Sequence, residues 1–214
     1  GQTATAVYSD AGAIVNLGST DNKIKTLTFD KNAGANINLY SDSYVYEEKN
    51  ATNYDRYSDS IAAGKTADDY ILHQSQINVY AENAEFNANT NAINAHNKAL
   101  INVKADTAVI NSNYGNVATV AASAGATVNI EGNDLAITNK NTNYLKNAQV
   151  VEKEDAKIAI GSGGIINPSR PDLVEEYDGT AVNAGNIDIK ANNQLVINGN
   201  IVIKANPDAA TGNS

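Results

Sequence analysis

The sequence predicts an all-β chain, a right-handed parallel β-helix (a solenoid) with two loop insertions. Three observations point there. A short apolar–Asn–apolar motif keeps recurring, several copies follow another apolar residue by a fixed eight positions, and about three short strands fill each repeat.

The motif comes first. It reads Val15-Asn16-Leu17, Ile37-Asn38-Leu39, Ile77-Asn78-Val79, Ile101-Asn102-Val103 and Val128-Asn129-Ile130, with looser copies at Ile158-Ala159-Ile160 and Ile187-Asp188-Ile189. Alternation of this kind is the two-residue period of a half-buried strand. The copies are separated by 22, 40, 24, 27, 30 and 29 residues. Irregular steps above a floor predict coils of constant minimum length with insertions at the turns.

The spacer is the second observation. Val7 precedes Val15, Ile93 precedes Ile101 and Val120 precedes Val128, each by eight residues. The segments 5–17 and 118–130 match along their length, and 180–189 is a shortened copy. A β-sandwich also uses short alternating strands, but nothing in it requires one motif behind one spacer.

The remaining strands complete each coil. Ala108–Asn111 and Asn116–Val120 follow one motif, Leu135–Thr138 and the stretch around Gln149–Val151 the next, and Leu195–Asn198 and Asn200–Ile203 the last. Asn and Gly between them suit corners with left-handed backbone. In-register stacking would set Asn above Asn, and such ladders hydrogen-bond along the stack.

Two segments break the pattern. The first, about 47–74, lies in the tyrosine-rich part of the chain: seven of the eleven tyrosines fall between Tyr40 and Tyr80. A short helical turn is expected within 60–72. Tyrosine offers large contact area at low entropic cost, so Tyr44, Tyr46, Tyr54, Arg56, Tyr57 and Tyr70 are the candidate ligand contacts. The competing expectation is that the loop folds back and its rings cap strand edges. The second segment, 168–180, carries two of the three prolines and Arg170; folding back is the expectation there.

Composition narrows the function. The 214 residues read as one elongated domain of β-helix; if the native protein is exported, the chain is an internal fragment of a larger one. Only 6% are aromatic, so small and β-branched side chains must fill the core. A net charge of −9 without a basic stripe argues against nucleic acid and against an anionic membrane surface. No cysteine is present, which excludes disulfides and suits export. No apolar run reaches bilayer length and no signal peptide is visible.

No catalytic residue, cofactor or metal site is expected. His73 and His96 lack metal-ligand spacing, and no nucleophile elbow or phosphate loop occurs. The cluster Ile160-Gly-Ser-Gly-Gly-Ile165 reads as a tight corner. Carboxylates pair as sequence neighbours (Glu47/Glu48, Asp68/Asp69, Glu152/Glu154/Asp155, Glu175/Glu176), which is the mark of solvated charge rather than of a glycosidase dyad.

The unit Thr5-Ala-Val-Tyr-Ser-Asp-Ala-Gly-Ala-Ile-Val-Asn-Leu17, with 118–130 and 180–189, resembles the repeat of type V autotransporter passenger domains. The resemblance covers most of the chain outside the two insertions. It implies display on a Gram-negative cell surface through a β-barrel that this sequence does not contain. It also implies an adhesin that binds a host or bacterial surface protein or glycan. A structural spacer or self-associating stalk is the alternative, and a polysaccharide-active β-helix enzyme ranks last.

Overall fold

The computed structural model describes residues 4–33, 35–53, 55–114, 117–141, 145–146, 149–150, 157–163 and 185–204. In chain order the strands are β1 (Thr5–Ser9), β2 (Ile14–Leu17), β3 (Ile24–Phe29), β4 (Ile37–Ser41), β5 (Tyr44–Glu48), β6 (Tyr57–Ser58), β7 (Tyr70–Gln74) and β8 (Gln76–Ala88). There follow β9 (Ile93–Ala95), β10 (Leu100–Ser112), β11 (Val120–Ser123), β12 (Thr127–Asn139), β13 (Leu145–Lys146), β14 (Gln149–Val150), β15 (Ile158–Gly163), β16 (Asn186–Asn198) and β17 (Asn200–Lys204). No α-helix occurs among the described residues.

Two large parallel sheets carry the chain. The first orders its strands β1-β4-β9-β11-β15-β17; the second runs β2-β8-β10-β12-β16, with β3 also paired to β8. The chain alternates between them, adding one layer to each at every circuit. Their inward residues form a single core. Leu39, Ile93 and Val120 face it from the first sheet, and Ile77, Val79, Ile101, Val103 and Ile130 from the second, all with no exposed surface.

The register stacks like on like. Val15, Ile77, Ile101, Val128 and Ile187 form one column and Leu17, Val79, Val103, Ile130 and Ile189 another. Between them runs an outward column of Asn16, Asn78, Asn102, Asn129 and Asp188. Each amide donates to the one before it: Asn78 Nδ2 to Asn16 Oδ1 at 2.9 Å, Asn102 to Asn78 at 2.7 Å, Asn129 to Asn102 at 2.8 Å. Asp188 takes the next place, and a carboxylate has no N–H to continue the series.

The long strands of the second sheet bend in the middle. Along β8 the inward residues are Ile77, Val79 and Ala81, then Ala84, Phe86 and Ala88, a one-place slip at Glu82-Asn83. The bend divides each long strand in two, so a circuit holds three strand segments. Beyond it Phe29 stacks on Phe86 at 5.2 Å. In β12 the bend falls at Gly132, where any Cβ would run into the Ala105 carbonyl oxygen.

Two motif copies sit elsewhere than their wording suggests. Ile37-Asn38-Leu39 and Ile158-Ala159-Ile160 belong to the first sheet, where Leu39 pairs with Val7 and Ile93, and Ile160 with Val120. Gln149–Val150 does not join the stack either; it pairs antiparallel with Leu145–Lys146. Alternation marks any strand, whichever sheet it enters.

Breaking the amide ladder at its centre tests its contribution. Asn102→Ala removes one donated and one accepted bond and is expected to cost about 1–3 kcal/mol in denaturant unfolding. Asp188→Asn restores a donor to Asn129 and is expected to raise stability by about 1 kcal/mol. It forfeits only the exposed pair to Lys190 at 3.0 Å.

Candidate functional site: a ridge at one corner of the stack

The eight-residue spacer is the tight corner from the first sheet to the second. It closes with bonds from Ala13 N–H to Asp10 O, Ala99 N–H to His96 O and Ala126 N–H to Ser123 O, at 3.0, 3.1 and 3.1 Å. Both central residues take positive φ each time: Ala11 and Gly12, Asn97 and Lys98, Ala124 and Gly125. Paired left-handed residues are the signature of a type I′ turn. Gly and Asn meet that need cheaply; Lys98, at φ 58°, does not.

Both interruptions leave from this corner. Leu39 and Ile77 lie 38 positions apart instead of eight, and the excess contains β5, β6 and β7. Residues 164–184, which include the second predicted insertion, connect β15 to β16 at the equivalent place and lie outside the described residues.

The first insertion is a small antiparallel sheet of order β6-β5-β7. A 3-10 turn at Ala67–Asp69 fulfils the expected helical turn. The Asp69 carboxylate accepts from the Thr66 N–H at 2.8 Å, which holds its acid below the usual range. Tyr46 sits edge-on to Tyr44 at 5.3 Å and to Tyr70 at 5.8 Å. Tyr70 is buried, and its hydroxyl accepts from the Ala62 N–H at 3.3 Å. Lys98 reaches in from the next circuit, its Nζ 4.4 Å from the centre of the Tyr44 ring and 3.2 Å from the Tyr46 hydroxyl. Burial alone would lower the Lys98 pKa. The Tyr46 bond and the two neighbouring phenols outweigh it and hold the ammonium above its ordinary value.

On the other side the insertion rests on the first circuit. A Cβ at Gly12 would lie 3.0 Å from His73 Cβ, and the Gly12 N–H donates to Ser75 Oγ at 2.9 Å. Glu47 and Glu48 pair within the insertion: Glu47 meets His73 at 2.8 Å and Arg56 at 3.3 Å, and Glu48 meets Lys65 at 2.6 Å.

The candidate contacts therefore divide. Tyr44 and Tyr46 join the insertion to the stack through Lys98, and Tyr70 packs within the insertion against Tyr46. Arg56 and Tyr57 are exposed, with the guanidinium 4.9 Å from the ring centre. Tyr54 lies outside the described residues. Ile71 and Leu72, which composition did not single out, are 45% and 41% exposed on β7.

A second group at the foot of the insertion was missed, although Tyr-Ser-Asp occurs at both 8–10 and 40–42. Tyr8 stacks on Tyr40 at 5.3 Å. Tyr8 donates to Asp10 at 3.0 Å and Tyr40 to Asp42 at 2.9 Å. Burial and then the Asp10 bond push the Tyr8 phenol up to about 12. Burial opposes ionisation of Asp42. Bonds from His96 Nδ1 at 3.2 Å, the Tyr40 hydroxyl and Asn97 Nδ2 at 3.0 Å overcome it and hold the acid below its ordinary range.

Among the described residues no group of three or more His, Asp and Glu is arranged to hold a metal ion. No protein-family model matches the chain, and neither a curated protein nor a solved structure is similar to it.

Two variants test the ridge. Lys98→Gly relieves the left-handed backbone but removes the cation from the tyrosines. Amide exchange across Tyr44–Gln74 is expected to quicken while β8, β10 and β12 stay protected. For Asp42 the folded acid is the stronger one. Its contribution is complete above the unfolded value of about 3.9 and disappears as pH falls through the folded value. Asp42→Asn is expected to lower stability at pH 7 and to flatten the acid limb of the stability–pH curve.

Proposed function

We propose that the chain is a right-handed parallel β-helix from a type V autotransporter passenger, displayed outside a Gram-negative cell, and that it works as an adhesin. The observation that carries this reading is that the two longest interruptions of the stack leave from one corner, while the shorter one that holds β13 and β14 leaves from another, between β12 and β15. Repeat proteins place insertions on one face when that face meets a partner. The described insertion is preorganised, because its tyrosines and Lys98 hold it before any ligand arrives. It still presents Arg56, Tyr57, Ile71 and Leu72 outward. Its partner is a host or bacterial surface protein or glycan.

Catalysis ranks below binding. Glu47, Glu48 and Asp69 of the insertion are engaged in ion pairs and turn bonds, and Asp10 and Asp42 at its foot accept tyrosine hydroxyls. A structural stalk is the second reading, favoured by the continuous amide ladder.

The corner geometry supplies the test. Replacing residues 43–74 by Ala-Gly joins Asp42 to Ser75 through the turn of the first circuit and restores the eight-residue spacer. The circular dichroism signal for β structure is expected to persist while binding to target cells falls at least about tenfold. Unchanged binding by the folded variant would contradict the assignment.

A further inference from the structure

Strand β7 ends its sheet, so among the described residues one of its edges has no strand beside it. The register shows what that edge offers. Bonds from Ser75 N–H to Ser43 O at 3.2 Å and from Lys49 N–H to Asp69 O at 3.0 Å bracket the β5–β7 ladder. Between them the hydrogen-bonded pairs are Val45 with His73 and Glu47 with Ile71. Leu72 lies between those pairs, so its N–H and C=O point away from β5, toward the open side.

Natural edge strands are blunted by lysine, proline or a bulge. Tyr70-Ile-Leu-His-Gln74 has none of these and no acidic or basic residue apart from His73. Its two large aliphatic residues, one on each face, are both more than 40% exposed. Neither the core nor the docking of the insertion uses them.

We infer that β7 is a self-association edge that pairs antiparallel with β7 of a second copy about a two-fold axis at Leu72. The strand is complementary to itself. The axis sets Leu72 opposite Leu72 with two reciprocal backbone bonds, Gln74 opposite Tyr70 and His73 opposite Ile71. No like charges between fixed ions meet across the axis. The Tyr70 N–H already serves the 3-10 turn through Ala67 O, so Gln74 donates to the Tyr70 carbonyl and receives nothing back. The joined sheet has six strands and shields Ile71 and Leu72 together. One five-residue pair covers far less than the ~1,600 Å² of a standard interface, so the association is weak in solution. It gains from the crowding of a displayed surface, where effective concentration is high. The net charge of −9 on each copy opposes it, so added salt strengthens it. This deepens the self-associating stalk reading and leaves Arg56 and Tyr57, which lie off β7, as the ligand-facing residues.

The chain contains no cysteine, which makes crosslinking unambiguous. A hydrogen-bonded antiparallel pair holds its Cα atoms about 5.5 Å apart, within disulfide range. Leu72→Cys is expected to give a disulfide-linked dimer under mild oxidation at least about tenfold faster than Ile71→Cys, whose opposite neighbour is His73. In sedimentation the unmodified chain is expected to dimerise as protein and salt rise, and Leu72→Lys to stay monomeric with the same β signal. Equal crosslinking at the two positions, or a monomer at every concentration and salt, would overturn the pairing. The latter result with cell binding intact would leave the adhesin reading standing.

Discussion

The two large sheets depend on in-register parallel pairing. Each strand can satisfy its backbone only if the next circuit arrives at the same height, and then every side chain lies over its counterpart. The rest follows from that repetition. Aliphatic columns close the core with few aromatics. An outward Asn, repeated in four consecutive layers of the second sheet, becomes a ladder of amide bonds at 2.7–2.9 Å. A close approach in one layer becomes a demand on the next, as at the bend where Gly132 meets the Ala105 carbonyl.

The same constraint decides where the chain can depart from regularity. A longer strand would disturb the ladder above and below it, whereas a corner can open without moving either sheet. The insertion uses this freedom and is then held on both sides, by Gly12 of the circuit before and Lys98 of the circuit after. Lys98 illustrates the compromise. A glycine would sit more easily at φ 58°, but it would leave the tyrosines of the insertion without their cation.

Much of this was legible in the residues. The strands, the turns and the stacking of Asn on Asn follow from alternation and from the motif itself. What alternation could not do was assign a strand to a sheet. Ile37-Asn38-Leu39 reads like Val15-Asn16-Leu17 yet lies in the other sheet, because both sheets ask for apolar residues two apart. The better discriminator was the eight-residue spacer, and the insertion hid it in the second circuit. The orientation of the tyrosines was not legible either. Tyr44 and Tyr57 are both candidate contacts by sequence, but the fold turns one onto Lys98 and leaves the other exposed. Tyr8 and Tyr40 escaped notice because their partnership with Asp10 and Asp42 appears only when the two circuits are laid one on the other.

The stacking register is most directly tested by nuclear Overhauser contacts between backbone protons of neighbouring strands in isotopically labelled protein. Parallel circuits joined as described place Asn16 beside Asn78, 62 residues away, and Leu39 beside Ile93. Contacts between those pairs are the expected result. Contacts from Asn16 to Asn38, the nearest copy of the motif in the chain, would contradict the alternation between two sheets on which the corner, the docked insertion and the ridge all depend.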